Sequence, residues 1–242
     1  LTPRRTSKRW LISAALITAI VALPVFSVAW LALFPEENIW PHLLDTTLPR
    51  YVWTTLLLMV GVSAITLSIG LATAWAVTMC NFPGRKMFEW ALLLPFAVPA
   101  YVIAYVYTDL LQYAGPIQGA LRDWFGWTSA RDYWFLDIRS LWGATLMLGL
   151  VLYPYVYLLA RAAFLEQSPS LFSVSRSLGH SALSTFFRVV LPIARPAVAV
   201  GLSLVLMETL NDFGTVDFFA VQTLTAGLFD TWMNLGNLGG AA

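Results

Sequence analysis

Ser173 to Pro196 reads SVSRSLGHSALSTFFRVVLPIARP. The stretch carries three arginines, a glycine between two amphipathic runs, and a Leu-Pro step just ahead of an apolar segment. Its local grammar is that of a helical hairpin. Upstream, Ser168-Pro169 sets a capping hydroxyl before a proline at the first helical position. Leu171, Val174 and Leu178 then recur at i, i+3 and i+7 on one face. Gly179 falls where a helix C-terminus calls for a left-handed residue. Ser181 caps a second helix that gathers Phe186, Phe187 and Val190, and Pro192 ends it. A plain connection needs only a few residues, whereas this hairpin has an apolar stripe to bury against something.

The surroundings are lipid-compatible. The 242 residues are 59% hydrophobic and 11% charged, where soluble domains carry about 25% charged residues. Leu11–Phe34, Val52–Phe82, Trp90–Thr108, Ser140–Ala160 and Pro196 to Phe219 are charge-poor, and the first four contain no Asp, Glu, Lys or Arg. A hydrocarbon core takes about 20 apolar residues in a helix, and a helix satisfies its own backbone in lipid. The expectation is an all-α integral membrane protein with spans at about 11–34, 52–80, 90–112, 140–163 and 196–219, and a loop at 165–195. The first apolar run exceeds the core of a signal peptide, so it reads as a retained span.

Charge sets the orientation. With the N-terminus inside, Arg4, Arg5, Lys8, Arg9, Arg85, Lys86, Arg161, Arg176, Arg188 and Arg195 lie on the cytoplasmic side. Only Arg50, Arg122, Arg131 and Arg139 lie outside, with Glu36, Glu37, Asp45, Asp123, Asp132 and Asp137. Cys80 is alone, so no intrachain disulfide forms. His42 and His180 fall on opposite sides, which removes a shared metal site. Trp124, Trp127, Trp134 and Trp142 suit the outer interface beside a short amphipathic element.

Prolines punctuate two spans. Pro95 and Pro99, one turn apart, and Pro154 each remove a backbone donor, so kinks or unwinding are expected there. The last span carries Glu208, Asn211 and Asp212. Intramembrane acids usually face a bundle interior or water, and Glu208 and Asp212 are spaced to share a helix face. Either they line a translocation path or they cap an unwound helix end and bond a neighbouring span.

The opening stretch resembles the cytoplasmic EAA loop of binding-protein-dependent ABC importer permeases: EAA, three residues, Gly, nine residues, then Ile-x-Leu-Pro. Gly179 is followed after nine residues by Val189, Val190, Leu191 and Pro192. In the first half Ser173 stands for Glu, with Val174 and Ser175 for the two Ala. LYPYVYLLARAAFLEQSPSLFSVSRSLG (Leu152–Gly179) and LMETLNDFGTVDFF (Leu206–Phe219) look like permeases of ferric-iron importers, with thiamine and phosphonate permeases as relatives.

The resemblance implies a type I importer permease of the methionine-importer-like fold in the bacterial inner membrane. It makes Ser173, Val174, Ser175, Leu178, Gly179, Val189, Leu191 and Pro192 the docking residues for a cytoplasmic ABC ATPase dimer. It also implies a periplasmic substrate-binding protein and a second permease half, fused or as a homodimer. The chain then reads as the N-terminal half of a longer permease, cut before a sixth span. It carries no nucleotide site of its own: Lys8 and Lys86 follow Ser7 and Arg85, not the glycine of a P-loop. ATP and magnesium belong to the partner, and neither a resident metal nor nucleic acid is expected. An ion-coupled carrier and a membrane enzyme are the rival classes; the second lacks a nucleophile–base constellation.

Overall fold

The computed structural model describes residues 8–35 and 38–242. Arg4, Arg5, Glu36 and Glu37, which enter the charge count, lie outside them. The described chain is helical: α1 (Lys8–Leu33), α2 (Trp40–Thr46), α3 (Leu48–Met79), α4 (Arg85–Ala91), a 3-10 turn (Leu94–Ala97), α5 (Ala100–Leu111), α6 (Pro116–Phe125), α7 (Leu141–Leu165), α8 (Pro169–Ser177) and α9 (Ala182–Thr185). A π turn (Phe186–Val190), α10 (Leu191–Asn211), α11 (Gly214–Phe218), α12 (Leu224–Phe229), a second π turn (Asp230–Asn234) and α13 (Leu238–Ala241) complete it.

Two compact units result. One holds α1, α2 and the chain from Gly227, the other Arg50–Ala226. In the first, Asn237 Oδ1 accepts from the Gly240 amide at 2.6 Å and starts α13, whose Gly239 lies against Pro35. The second unit is built around α7. Ala144, Leu148, Val151 and Val156 of α7 are buried with Leu58 and Val62 of α3 and Val205 of α10. Nearer the 165–195 loop, Tyr153, Tyr157, Ala160 and Phe164 pack with Ala74, Val77, Phe186 and Val190. Lipid gives no hydrophobic drive between helices, so close approach through small residues does the holding. A Cβ on Gly70 would stand 2.8 Å from Val156 Cβ, so that crossing admits glycine alone without a shift.

Among the described residues four helices are long and apolar enough to cross a membrane, five when a bent pair counts as one span. The break expected at Pro95 and Pro99 is present, while the bounds of the last span differ from those expected. The 90–112 segment is no continuous rod: Arg85–Ala97 and Ala100–Phe125 meet at 96°. Pro95 is the second residue of the 3-10 turn and Pro99 caps α5, while Val98 before Pro99 is extended, as a residue preceding proline prefers. By contrast α7 runs unbroken through Pro154. The last span also differs. Ala182 to Asn211 is one 30-residue helical run, so Pro192 does not end the second arm of the hairpin. The π turn explains this: the Leu191 amide reaches the Phe186 carbonyl, a wider turn that lets Pro192 sit in the first turn of α10. At its other end the helix stops at Asn211, not Phe219.

The break at Pro95 leaves carbonyls that α7 satisfies. Leu93 N donates to Trp90 and Phe96 N to Leu93, which bypasses the carbonyls of Glu89 and Leu92. Tyr153 OH donates to the Leu92 carbonyl at 2.8 Å and Tyr157 OH to the Glu89 carbonyl at 3.3 Å. Tyr153→Phe therefore strands a half-buried acceptor and should cost about 1–3 kcal/mol. A thermal melt of the purified permease reads this directly; an unchanged midpoint would show that the bond contributes nothing.

Candidate functional site

The hairpin has an anchored side and a bare side. On the anchored side Trp75 of α3 packs edge-on to Phe186 at 4.8 Å and to Phe164 at 6.3 Å. Phe172 of α8 lies 6.4 Å from Trp75. Ser175 and Thr185, both buried, pair hydroxyl to hydroxyl at 2.7 Å across the two arms. Gln167 Nε2 donates to the Val190 carbonyl at 3.0 Å, which ties the start of the loop to the π turn.

The turn itself follows from the sequence. Ser168 accepts from Ser170 N and Ser181 from Ser184 N. Gly179 takes a φ of +79°, and His180 N closes back on the Ser175 carbonyl at 3.1 Å.

On the bare side Val174, Leu178, Leu183 and Phe187 are 58–71% exposed. Phe187 thus parts from its neighbour Phe186 and from Val190, which are buried. Among the residues matched to the loop motif, Ser173 is exposed, Ser175 is buried, and Val189, Leu191 and Pro192 are half-buried. Arg176 and Arg188, next to these residues in the chain, are exposed too.

The two acids expected to share a face are separated. Since α10 ends at Asn211, Asp212 leaves the helix and caps the next one. Its carboxylate accepts from Thr215 N and Val216 N, each at 3.1 Å, and from Thr215 Oγ1 at 3.0 Å. Glu208 stays on α10, exposed, and lines a cavity of about 280 Å³ with Pro95, Phe96, Pro99, Ala100 and Tyr155. Asn211 is exposed one turn on. The proline break and the acid therefore meet at one place.

Glu89 belongs to no motif in the sequence. It bridges Arg85 Nε at 3.5 Å and Arg161 Nη2 at 3.3 Å, pinning α4 to α7. An acid beside Arg85 and Lys86 was the available signal. Between α5 and α7 Trp124 and Trp134 are exposed, as is Trp142 at the start of α7, while Trp127 stacks on Tyr133 at 4.7 Å. The amides of Ser129 and Thr128 hold the Asp132 carboxyl below its ordinary value and fix the turn that carries this stack.

The described residues thus form a helical, multi-pass chain with a glycine-turned hairpin between two of its long helices. The chain belongs to the family of binding-protein-dependent transport system inner membrane components, whose family model matches residues 64–229. It is the inner-membrane permease subunit of an ABC importer, with the type I fold. It is similar to the molybdenum transport system permease protein ModB of Escherichia coli, 28% identical over 200 residues that cover 78% of this chain and 84% of ModB. It is also 28% identical over 178 residues to the Fe(3+)-transport system permease protein FbpB 2 of Haemophilus influenzae, across 74% of this chain and 30% of that protein. Among solved structures, a bacterial alginate ABC transporter in complex with alginate pentasaccharide-bound periplasmic protein matches with a TM-score of 0.74 at 16% identity, covering 97% of this chain and 87% of the other. The family is thus fixed and the cargo is not: the ferric resemblance is one option among relatives named for different ions.

Proposed function

We infer that the chain is the permease of a ferric-iron importer. Its N-terminus is cytoplasmic, an ATPase dimer docks on the 165–195 loop, and a periplasmic substrate-binding protein delivers cargo. A second permease half, fused or as a homodimer, completes the path. The observation that carries the cargo is Glu208. It lies about 20 Å along the helix from Arg195, past the midplane, exposed beside the Pro95–Ala100 break. A carboxylate at that depth needs water or a cation opposite it, and no Lys or Arg lines its cavity. Fixed negative charge favours a cation and opposes an oxyanion. The docking of the ATPase rests on the bare apolar side of the hairpin.

The likeness to ModB along most of its length supports a second reading, a molybdenum oxyanion, as do the looser thiamine and phosphonate resemblances for those solutes. Proteoliposomes holding the permease, its ATPase and its binding protein separate them. Labelled ferric iron should accumulate with ATP and not with a proton or sodium gradient alone. Accumulation of molybdate without iron would overturn the cargo, and uptake that follows an ion gradient would overturn the importer mechanism.

A further inference from the structure

The turn between α3 and α4 holds a cavity that the transport reading leaves unused. Asn81, Phe82, Arg85, Lys86, Glu89 and Trp90 line about 650 Å³. Its walls are fixed. Gly84 turns the chain with a φ of +83°, and Phe82 packs edge-on to Phe88 at 5.9 Å. Arg85 folds back to Asn81 Oδ1 at 3.3 Å and to the Thr78 carbonyl at 3.4 Å, closing the end of α3. With its oxygen so engaged, the Asn81 carboxamide keeps its NH2 as a donor.

Charge in the cavity does not balance. Glu89 is the lone carboxylate, and it is shared between Arg85 and Arg161. Lys86 is exposed and forms no ion pair among the described residues. Beside it, Trp90 is 77% and Met87 70% exposed, far more apolar surface than a water-facing turn carries. Lys86 and Trp90 are four residues apart on α4 and so share a face.

We propose that this cavity binds the phosphate of an anionic phospholipid headgroup. Lys86 and Arg85 supply the positive charge, the Asn81 amide donates, and Trp90 and Met87 lie along the acyl chains at the interface. Basic pockets at the ends of membrane helices take such headgroups, and tryptophan belongs at that level of the bilayer. A free phosphate ion would meet the same cations but would leave Trp90 and Met87 in water, so the lipid is the better occupant. The bound headgroup would brace the α3–α4 turn against the Glu89 bridge to α7.

Native mass spectrometry of the full-length permease tests this, with phosphatidylglycerol and phosphatidylcholine offered in equal amounts. The wild type should retain phosphatidylglycerol, Lys86→Arg should match it, and Lys86→Glu should lose about tenfold in retention. Trp90→Ala should weaken retention of the lipid without changing the response to inorganic phosphate. Equal retention of both lipids, or full retention by Lys86→Glu, overturns the proposal. So does displacement of the lipid by inorganic phosphate, which would identify a small-anion site. ATPase pull-down in detergent without phosphatidylglycerol supplies the last arm: if Lys86→Glu abolishes it, this surface is a protein contact instead. A thermal midpoint equal to that of Lys86→Arg shows that Lys86→Glu is folded.

Discussion

Gly179→Val leaves a permease that inserts and folds yet transports at about a tenth of the wild-type rate or less, while ATP hydrolysis by its partner continues. The physical cause is local. Gly179 holds a φ of +79°, a region that costs a β-branched residue on the order of 1–3 kcal/mol. Nothing lies within 4 Å of an added Cβ, so the penalty is conformational and not a clash. The chain relieves it by opening the turn, which breaks the His180-to-Ser175 closure and swings Val174 and Leu178 away from Leu183 and Phe187. Gly179→Asn is the control, because asparagine tolerates the left-handed region, and it should keep most of the transport. The ratio of cargo moved to ATP hydrolysed in proteoliposomes measures the effect. Wild-type transport by the valine variant would show that the shape of the hairpin does not matter to coupling.

Glu208→Lys should abolish uptake of a cation, and Glu208→Gln should reduce it on the order of tenfold. One charge at contact distance is worth a few kcal/mol at an effective dielectric of about 20, and reversal adds repulsion to the loss of attraction. Asp212→Asn should behave differently. Its carboxylate is committed to Thr215 and Val216, and asparagine also caps helices well, so transport should change little. The pair of variants thus separates the path residue from the cap. Labelled-ion uptake with initial rates reads both; an unaffected Glu208→Lys variant would remove this side chain from the path.

Much of this architecture is legible from the chain alone. The spans, the Ser168 and Ser181 caps and the left-handed Gly179 each follow from a short-range rule. What the sequence conceals is which of several competing hydrogen-bond partners each residue takes. Pro192 looks like a stop, and becomes a first-turn residue because a π turn upstream changes the register of donors. Glu208 and Asp212 look like one face, and are parted because Asp212 finds two amides that a continued helix would not offer it. The bond between Ser175 and Thr185 joins residues whose meeting depends on how tightly the turn folds. Tyr153 and Tyr157 read as ordinary span aromatics until the broken segment beside them exposes carbonyls.

The continuity from Ala182 to Asn211 has a mechanical corollary. A twist applied at the water-facing end travels along some 45 Å of unbroken rod, as along a crankshaft, and is delivered beside the proline-broken segment. There the shaft ends at Asp212, whose short link to α11 can pivot where a longer helix could not. On the proposed docking of an ATPase at the hairpin, torque put in at that end of the rod is spent at the other, beside Glu208.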